Sequence, residues 1–365
     1  MKHLLPLFVL FGTSWCLRVI AQDTVSSPPM GCVNLVLQGR ADNLISIPLL
    51  QEPVAIGHVL VVTSTTVTLD TSGWTINQYA PGATQSFYAE ISTGQLKGLS
   101  YAVVSNTADT LTLNTGSNKL TQHRLGAVAV GDTVRIRPAW TVGTIFGMSD
   151  SDVALTPFPT LPTSLQADSG DSLLFFDSTA VGIRKTPSAR LVYVQSTGWR
   201  APSDGATDQE GYVLPPLSPV LVRLHNSTGQ EVVVLGDAYQ APALLTLTGG
   251  NGTQANDSFV AVAQSEPVSL NNSGLANADS TQSLVKASSS TSQREDLLLA
   301  FDPTRKGFER PPEHIYFYLS GQGWEEVGSN SMTVGDNVFL DPAQIYVLRK
   351  RATSTSTDWK QNFTP

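Results

Sequence analysis

Part of this chain occurs twice, and that constrains its fold more than any other feature. Asp171-Ser-Leu-Leu-Phe-Phe-Asp177 matches Asp296-Leu-Leu-Leu-Ala-Phe-Asp302. Continuing without a gap, Pro187 falls on Pro312, Tyr193 on Tyr318 and Gly198-Trp199 on Gly323-Trp324. With one extra residue allowed, Pro216 meets Pro342 and Arg223 meets Arg349. Upstream, Glu52-Pro53-Val54 echoes Glu266-Pro267-Val268, each after an alternating apolar stretch (Leu44 to Leu49 and Phe259 to Ala263). Constant spacing that includes tryptophan, a rare residue, argues for two copies of one module.

The copies differ in what separates their parts. In the second, the Glu-Pro-Val element lies 30 residues before the Asp-Leu-Leu element; in the first, the separation exceeds a hundred. The difference predicts an insertion over 58–140 with its own strand pattern. Its strands are Val59-Leu-Val-Val, Thr66-Val-Thr-Leu, Ser86-Phe-Tyr-Ala-Glu-Ile, Ser100-Tyr-Ala-Val-Val, Thr110-Leu-Thr-Leu and Thr133-Val-Arg-Ile-Arg. The first copy then covers 34–57 plus 141–240 and the second 255–350, with 351–365 as a tail. A Gly-, Asn- and Thr-rich linker over Thr246 to Asn256 lies between them.

Strand signals dominate throughout: runs of four to eight residues rich in Val, Ile, Thr, Tyr and Phe, bounded by Gly, Asn, Asp, Ser and Pro. Ile315-Tyr-Phe-Tyr-Leu319 and Ile345-Tyr-Val-Leu-Arg349 are apolar on both parities, as strands covered on both faces require. No stretch keeps an apolar helical period over three turns. Ala276 to Gln293, rich in Ser, Thr, Asn and Asp, reads as an exposed loop. The fold class is therefore all-β: two sandwich- or barrel-like antiparallel modules, the first interrupted by an inserted β unit.

The first 21 residues read as a secretory signal peptide. Lys2 and His3 precede an apolar run from Leu4 to Trp15, and Val19-Ile-Ala21 forms a cleavage site before Gln22. The run is too short to span a bilayer, which takes about 20 residues. No later stretch is apolar enough to cross one. The expected destination is periplasmic, cell-surface or extracellular. Cleavage removes Cys16 and leaves Cys32 alone, so no internal disulfide can form. Cys32 reads as a small buried residue or a free thiol. The sequons at Asn226, Asn251, Asn256, Asn271 and Asn362 carry no glycosylation argument, because Ser and Thr make up about a fifth of the chain and supply sequons by composition.

Only 14% of residues are charged and the formal net charge is -8. That balance removes the electrostatic basis for nucleic-acid binding and argues against coiled coil. His58, His123, His225 and His314 are too far apart in sequence for metal-ligand spacing. Asp150-Ser-Asp152 and Asp168-Ser-Gly-Asp171 lack the alternating oxygen ligands, the glycine at the sixth position and the closing glutamate of a calcium loop, and read as turns. Asp171, Asp177, Asp296 and Asp302 flank matching strands in both copies, which favours a structural role over a hydrolytic pair. Trp199 and Trp324 read as core; exposed, they would be sugar-stacking platforms. Arg349-Lys350-Arg351 reads as a solvated strand end.

Three features resemble a family of exported proteins of unknown function found in Verrucomicrobia-type bacteria. They are Asp42-Asn-Leu-Ile-Ser-Ile-Pro-Leu49; Tyr88-Ala-Glu-Ile-Ser-Thr-Gly94 with Gly98 to Leu113 and Val130 to Pro138; and the repeated Asp-Leu-Leu…Phe-Asp…Gly-Trp…Val-Leu-Arg module. The resemblance covers most of the mature chain. It implies export and β architecture and supplies no catalytic residue. The resulting expectation is a non-enzymatic envelope or extracellular protein with a structural, adhesion or binding role. No catalytic, cofactor or metal residue is assigned, and surface polysaccharide or other envelope proteins are the partners considered. The alternative is an extracellular carbohydrate-binding or glycan-active protein.

Overall fold

A computed structural model describes residues 30–82, 85–116, 118–163, 169–239, 242–279, 283–329 and 333–361. The expected signal peptide, Cys16, Asp168 and Asn362 lie outside the described residues. The chain opens with β1 (Met30–Leu37), β2 (Ala41–Ile45) and β3 (Leu49–Leu50). It then makes β4 (Ala55–Val62), β5 (Thr66–Leu69), β6 (Phe87–Ile91), β7 (Ser100–Asn106), β8 (Thr110–Leu113) and β9 (Thr133–Pro138). It returns through β10 (Trp140–Thr141) and a short helix α1 (Val142–Phe146). Next come β11 (Ser172–Phe175), β12 (Ala189–Val194), β13 (Gly198–Arg200), β14 (Val213–Leu214), β15 (Val220–Leu224) and β16 (Gln230–Ala238). The remainder is β17 (Ala243–Leu247), β18 (Asn256–Ala261), β19 (Val268–Ser269), β20 (Leu297–Ala300), β21 (His314–Leu319), β22 (Gly323–Glu326), β23 (Phe339–Leu340), β24 (Ile345–Lys350) and β25 (Thr357–Gln361).

Two five-stranded antiparallel sheets share one strand order. The first runs β13-β12-β11-β15-β2 and the second β22-β21-β20-β24-β18. Smaller pairings also match: β1 with β16 corresponds to β17 with β25, and β10 with β14 to β19 with β23. Each large sheet packs its inner face on the smaller one. In the first sandwich Leu35, Leu37, Val232 and Val234 meet Leu173, Leu191 and Val222; in the second, Leu247 and Trp359 meet Val260, Leu298 and Leu348. β21 and β24 lie inside their sheet, flanked by strands on both sides.

Between β3 and β10 the chain forms a closed barrel in the order β4-β5-β8-β7-β6-β9. Thr–Val alternation in β5 and Thr–Leu alternation in β8 put one apolar residue in two on the inside. Val59, Val67, Ala89, Leu111, Val134 and Ile136 fill the interior. Register shifts at Val59/Val61 and Val103/Ser105 bend β4 and β7, the means by which a small sheet curls into closure.

The pairings correct several sequence expectations. Ala55–Gly57 pair with β9, so the barrel begins before residue 58, and Trp140 pairs with Leu214 inside the first sandwich. Met30–Val33 extend the first copy upstream of residue 34. The Glu-Pro-Val echo is not a structural match: Val268 occupies the position of Trp140, while Val54 leads into the barrel. Ala243–Leu247 is a strand of the second sandwich, and so is Thr357–Gln361, placed in the tail by its polar composition. Ala276 to Gln293 contains no strand among its described residues, yet Val285 and Ser288 are buried, so it is not fully exposed.

Candidate functional site

The duplicated residues hold the two halves in shape. Asp171 is buried and accepts backbone N–H bonds from Thr156 and His225, both at 2.7 Å. Its counterpart Asp296 accepts from Lys286 N–H at 2.9 Å, Arg351 N–H at 2.8 Å and Ser354 Oγ at 2.6 Å. Each carboxylate ties an incoming loop to the end of the neighbouring strand of the sheet, β15 or β24. Asp177 and Asp302 each accept from the hydroxyl and the N–H of the threonine two residues on, which holds both carboxyls below their ordinary value. Trp199 and Trp324 are 0% and 1% exposed, edge-on to Tyr193 and Tyr318. Trp199 donates its indole N–H to Gly147 O at 2.7 Å.

The other candidates disperse. Asp150 and Asp152 accept from Ser196 and Ser149 and close turns. His58 faces Asp70 at 3.0 Å and His314 faces Glu326 at 2.6 Å, both near the surface, while His123 is buried in the barrel unit. Cys32 is an exposed free thiol, which removes the buried reading. The basic cluster is solvated at Arg351 alone, whose side chain is 54% exposed. Arg349 forks onto Asp257 at 2.8 and 2.9 Å, and Lys350 is 1% exposed with its ammonium on Leu284 O and Thr357 Oγ1. Asn256 is also fully buried, which makes its sequon inaccessible. No group of three or more His, Cys, Asp or Glu among the described residues could hold a metal ion, and no described helix is long and apolar enough to cross a membrane.

What sequence reasoning missed is how the copies meet. Arg223 forks onto Asp42 at 2.7 and 2.8 Å, and Arg349 onto Asp257 in the same geometry. Each aspartate also anchors a loop of the other copy. Asp42 Oδ2 accepts from Glu309 N–H, and Asp257 Oδ2 from Arg184 N–H, both at 2.8 Å. Gly307 O accepts from Asp42 N–H at 3.1 Å, and Gly182 O from Asp257 N–H at 3.0 Å. Both glycines have positive φ, 147° at Gly182 and 123° at Gly307, and Arg184 and Glu309 match at 51° and 50°. The edge strands β2 and β18 are thus each capped by a strap from the opposite copy, the arrangement of a two-fold dimer on one chain. The signal was present: Arg223 and Arg349 were matched, and Asp42 and Asp257 are the second residues of equivalent strands.

The two sides of this interface differ. On one side Phe176 and Phe259 meet at 5.2 Å between ring centroids, with Lys185 Nζ 5.9 Å over Phe259 and Leu217 packed nearby. The matching positions on the other side are Phe301, Leu44, Arg310 and Ala343. Leucine for phenylalanine and alanine for leucine leave space there. The result is a cleft of about 350 Å³ between the copies, in the size range of ligand pockets. Leu44, Phe301 and Ile345 give it apolar walls, and Asn34, Asp341 and Gln344 add polar groups. Partial desolvation raises the pKa of Asp341, whose carboxylate accepts no hydrogen bond from the described residues. Arg310 donates to Asp302 O at 2.9 Å and to Asp42 O at 3.1 Å.

A second charged cluster fastens the barrel. Arg137, 1% exposed, donates to Glu90 at 2.7 Å within the barrel and to Asp237 of β16 at 2.8 Å. Arg124 of the barrel unit also pairs with Asp358 of β25, so the insertion touches both copies. No family model, curated protein or solved structure matches the chain.

Proposed function

We propose that this is an exported, non-enzymatic β-protein of the envelope or extracellular space that works by binding, with the cleft between its two copies as the binding site. The observation that carries this reading is where the copies differ. Residues kept in both are committed to strand ends, straps and core, and the departure from pseudo-symmetry opens a cavity. Export is supported by the N-terminal Leu4 to Trp15 run and the Val19-Ile-Ala21 site. The glycan-active reading needed exposed indoles beside carboxylates, and the burial of Trp199 and Trp324 leaves it without that platform. The test is a polysaccharide-hydrolysis panel run on the secreted protein beside a glycan array. The reading expects no turnover. Reproducible hydrolysis that tracks with the purified chain overturns it.

A further inference from the structure

We propose that one end of the second sandwich binds a small oxyanion, a carboxylate or a sulfate, in a hydroxyl-lined cavity over the buried ammonium of Lys350. The site is separate from the cleft between the copies. That cleft meets β24 at Ile345, and this cavity meets it at Lys350, the other end of the strand.

Lys350 shares the parity of Tyr346 and Leu348, so its side chain enters the core of the second sandwich. It is 1% exposed. Across the ladder it pairs with Asn256, whereas its match in the first copy, Leu224, pairs with Ala41. Leu224 and Ala41 are both fully buried, so the first copy closes this end of its core with apolar groups. The second puts a charge there in the same strand frame. A charge taken out of water is costly unless an opposite charge meets it.

Among the described residues Lys350 has no such partner. Its ammonium donates to Leu284 O and Thr357 Oγ1, both at 3.0 Å: two neutral acceptors for three N–H donors. Asp296 attracts it without touching it, because the carboxylate is committed elsewhere. Oδ1 accepts from Arg351 N–H and Ser354 Oγ, and Oδ2 from Lys286 N–H. Desolvation outweighs the pull of Asp296 and holds the lysine below its ordinary pKa. Beside the cavity, Lys286 and Arg351 share one carboxylate, Glu295, at 3.2 and 3.4 Å. Three cations therefore face two carboxylates, and the excess is positive.

The cavity holds about 350 Å³. Thr353, Thr355 and Thr357 line it together with Lys286 and Lys350. Thr353 Oγ1 accepts from Lys286 and Thr357 Oγ1 from Lys350, which leaves each hydroxyl its own hydrogen to donate. A water in this space would satisfy the third N–H of Lys350 and leave its charge unmet. An oxyanion meets both.

The probes are sodium sulfate and sodium glucuronate, titrated into the full chain beside sodium chloride at matched ionic strength and neutral glucose. Binding is read by calorimetry and by melting temperature. Sulfate or glucuronate should bind about tenfold tighter than chloride or more, and should raise the melting temperature with concentration. Preference for sulfate assigns a free inorganic anion and preference for glucuronate an acidic sugar; either supports the site. Lys350→Leu restores the residue of the first copy. It should lose the anion response and melt at or above the unsubstituted chain in chloride, since it removes an unmet charge. Thr357→Asp sets a carboxylate of the chain's own against the ammonium and should also abolish the response, which keeps the test open if Lys350→Leu fails to fold. No binding beyond chloride, glucose bound as tightly as glucuronate, or a response that survives these variants overturns the proposal. None of these outcomes bears on the cleft between the copies.

Discussion

The two sides of the interface between the copies carry the same fastenings and different fillings. On both, an Asp–Arg fork receives the N–H of a left-handed residue from the opposite strap. On one side phenylalanine rings and a leucine close the space; on the other, Leu44 and Ala343 stand at those positions and leave a cavity. The difference separates two demands on a duplicated module. Groups that satisfy buried charge and a sheet edge cannot change without leaving polar atoms unpaired. Groups that only fill volume can shrink at modest cost, and the space they release becomes available to a ligand.

The largest effect that calibrates this comparison lies outside both sides. Arg137→Met leaves Glu90 and Asp237 buried without their cation, and a loss of about 3–5 kcal/mol is expected in urea unfolding. Within the pair, Asp42→Ala and Asp257→Ala each remove a fork and a strap anchor and should cost about 3 kcal/mol apiece. Unequal costs, with one variant near wild type, would break the equivalence of the two fastenings. Phe259→Leu opens the filled side and should cost about 1–2 kcal/mol, whereas Leu44→Phe should stay within about 1 kcal/mol because its side already has room. Differential unfolding of the two variants checks this. Trp199→Phe should cost about 1 kcal/mol more than Trp324→Phe, since Trp199 donates to Gly147 O and Trp324 Nε1 has no hydrogen-bond partner among the described residues.

The smallest effect is in pH dependence at the cleft. Asp341 has its pKa raised by desolvation, so its charge is lost as pH falls through a value above the group's ordinary one. The same shift means that ionised Asp341 is disfavoured by folding, so its contribution to stability improves as it protonates. Asp341→Asn should therefore flatten this contribution in urea unfolding followed across the acidic limb, and an unchanged pH profile would contradict the shift.

Strand content, the copied core and the existence of an insertion were legible because Asp, Gly-Trp and Arg recur at fixed intervals. Boundaries were less so. β25 reads Thr-Asp-Trp-Lys-Gln, polar at four of five positions, and its membership of the second sandwich rests on Trp359, which is buried and donates to Ser273 O at 2.8 Å. The Glu-Pro-Val echo misled because an edge strand and a barrel entrance use similar residues where a chain leaves a sheet. Lys350 followed Arg349 into the solvated reading, although Leu224, its match in the first copy, is buried too. The cleft was invisible for another reason: it arises from residues missing volume relative to a partner position, and that comparison needs the two halves facing each other. The straps were hidden likewise, since Gly182 and Gly307 read as ordinary loop glycines until the strand they cap is known.

The central claim is that the copies clasp each other reciprocally, and amide hydrogen exchange at Arg184 and Glu309 tests it most directly. Both N–H groups should be protected in the unsubstituted chain, each held by a carboxylate of the other copy. Asp42→Ala should speed exchange at Glu309 at least tenfold and leave Arg184 unchanged, and Asp257→Ala should do the reverse. Free exchange at either amide in the unsubstituted chain, or a response at both to one substitution alone, would contradict the account.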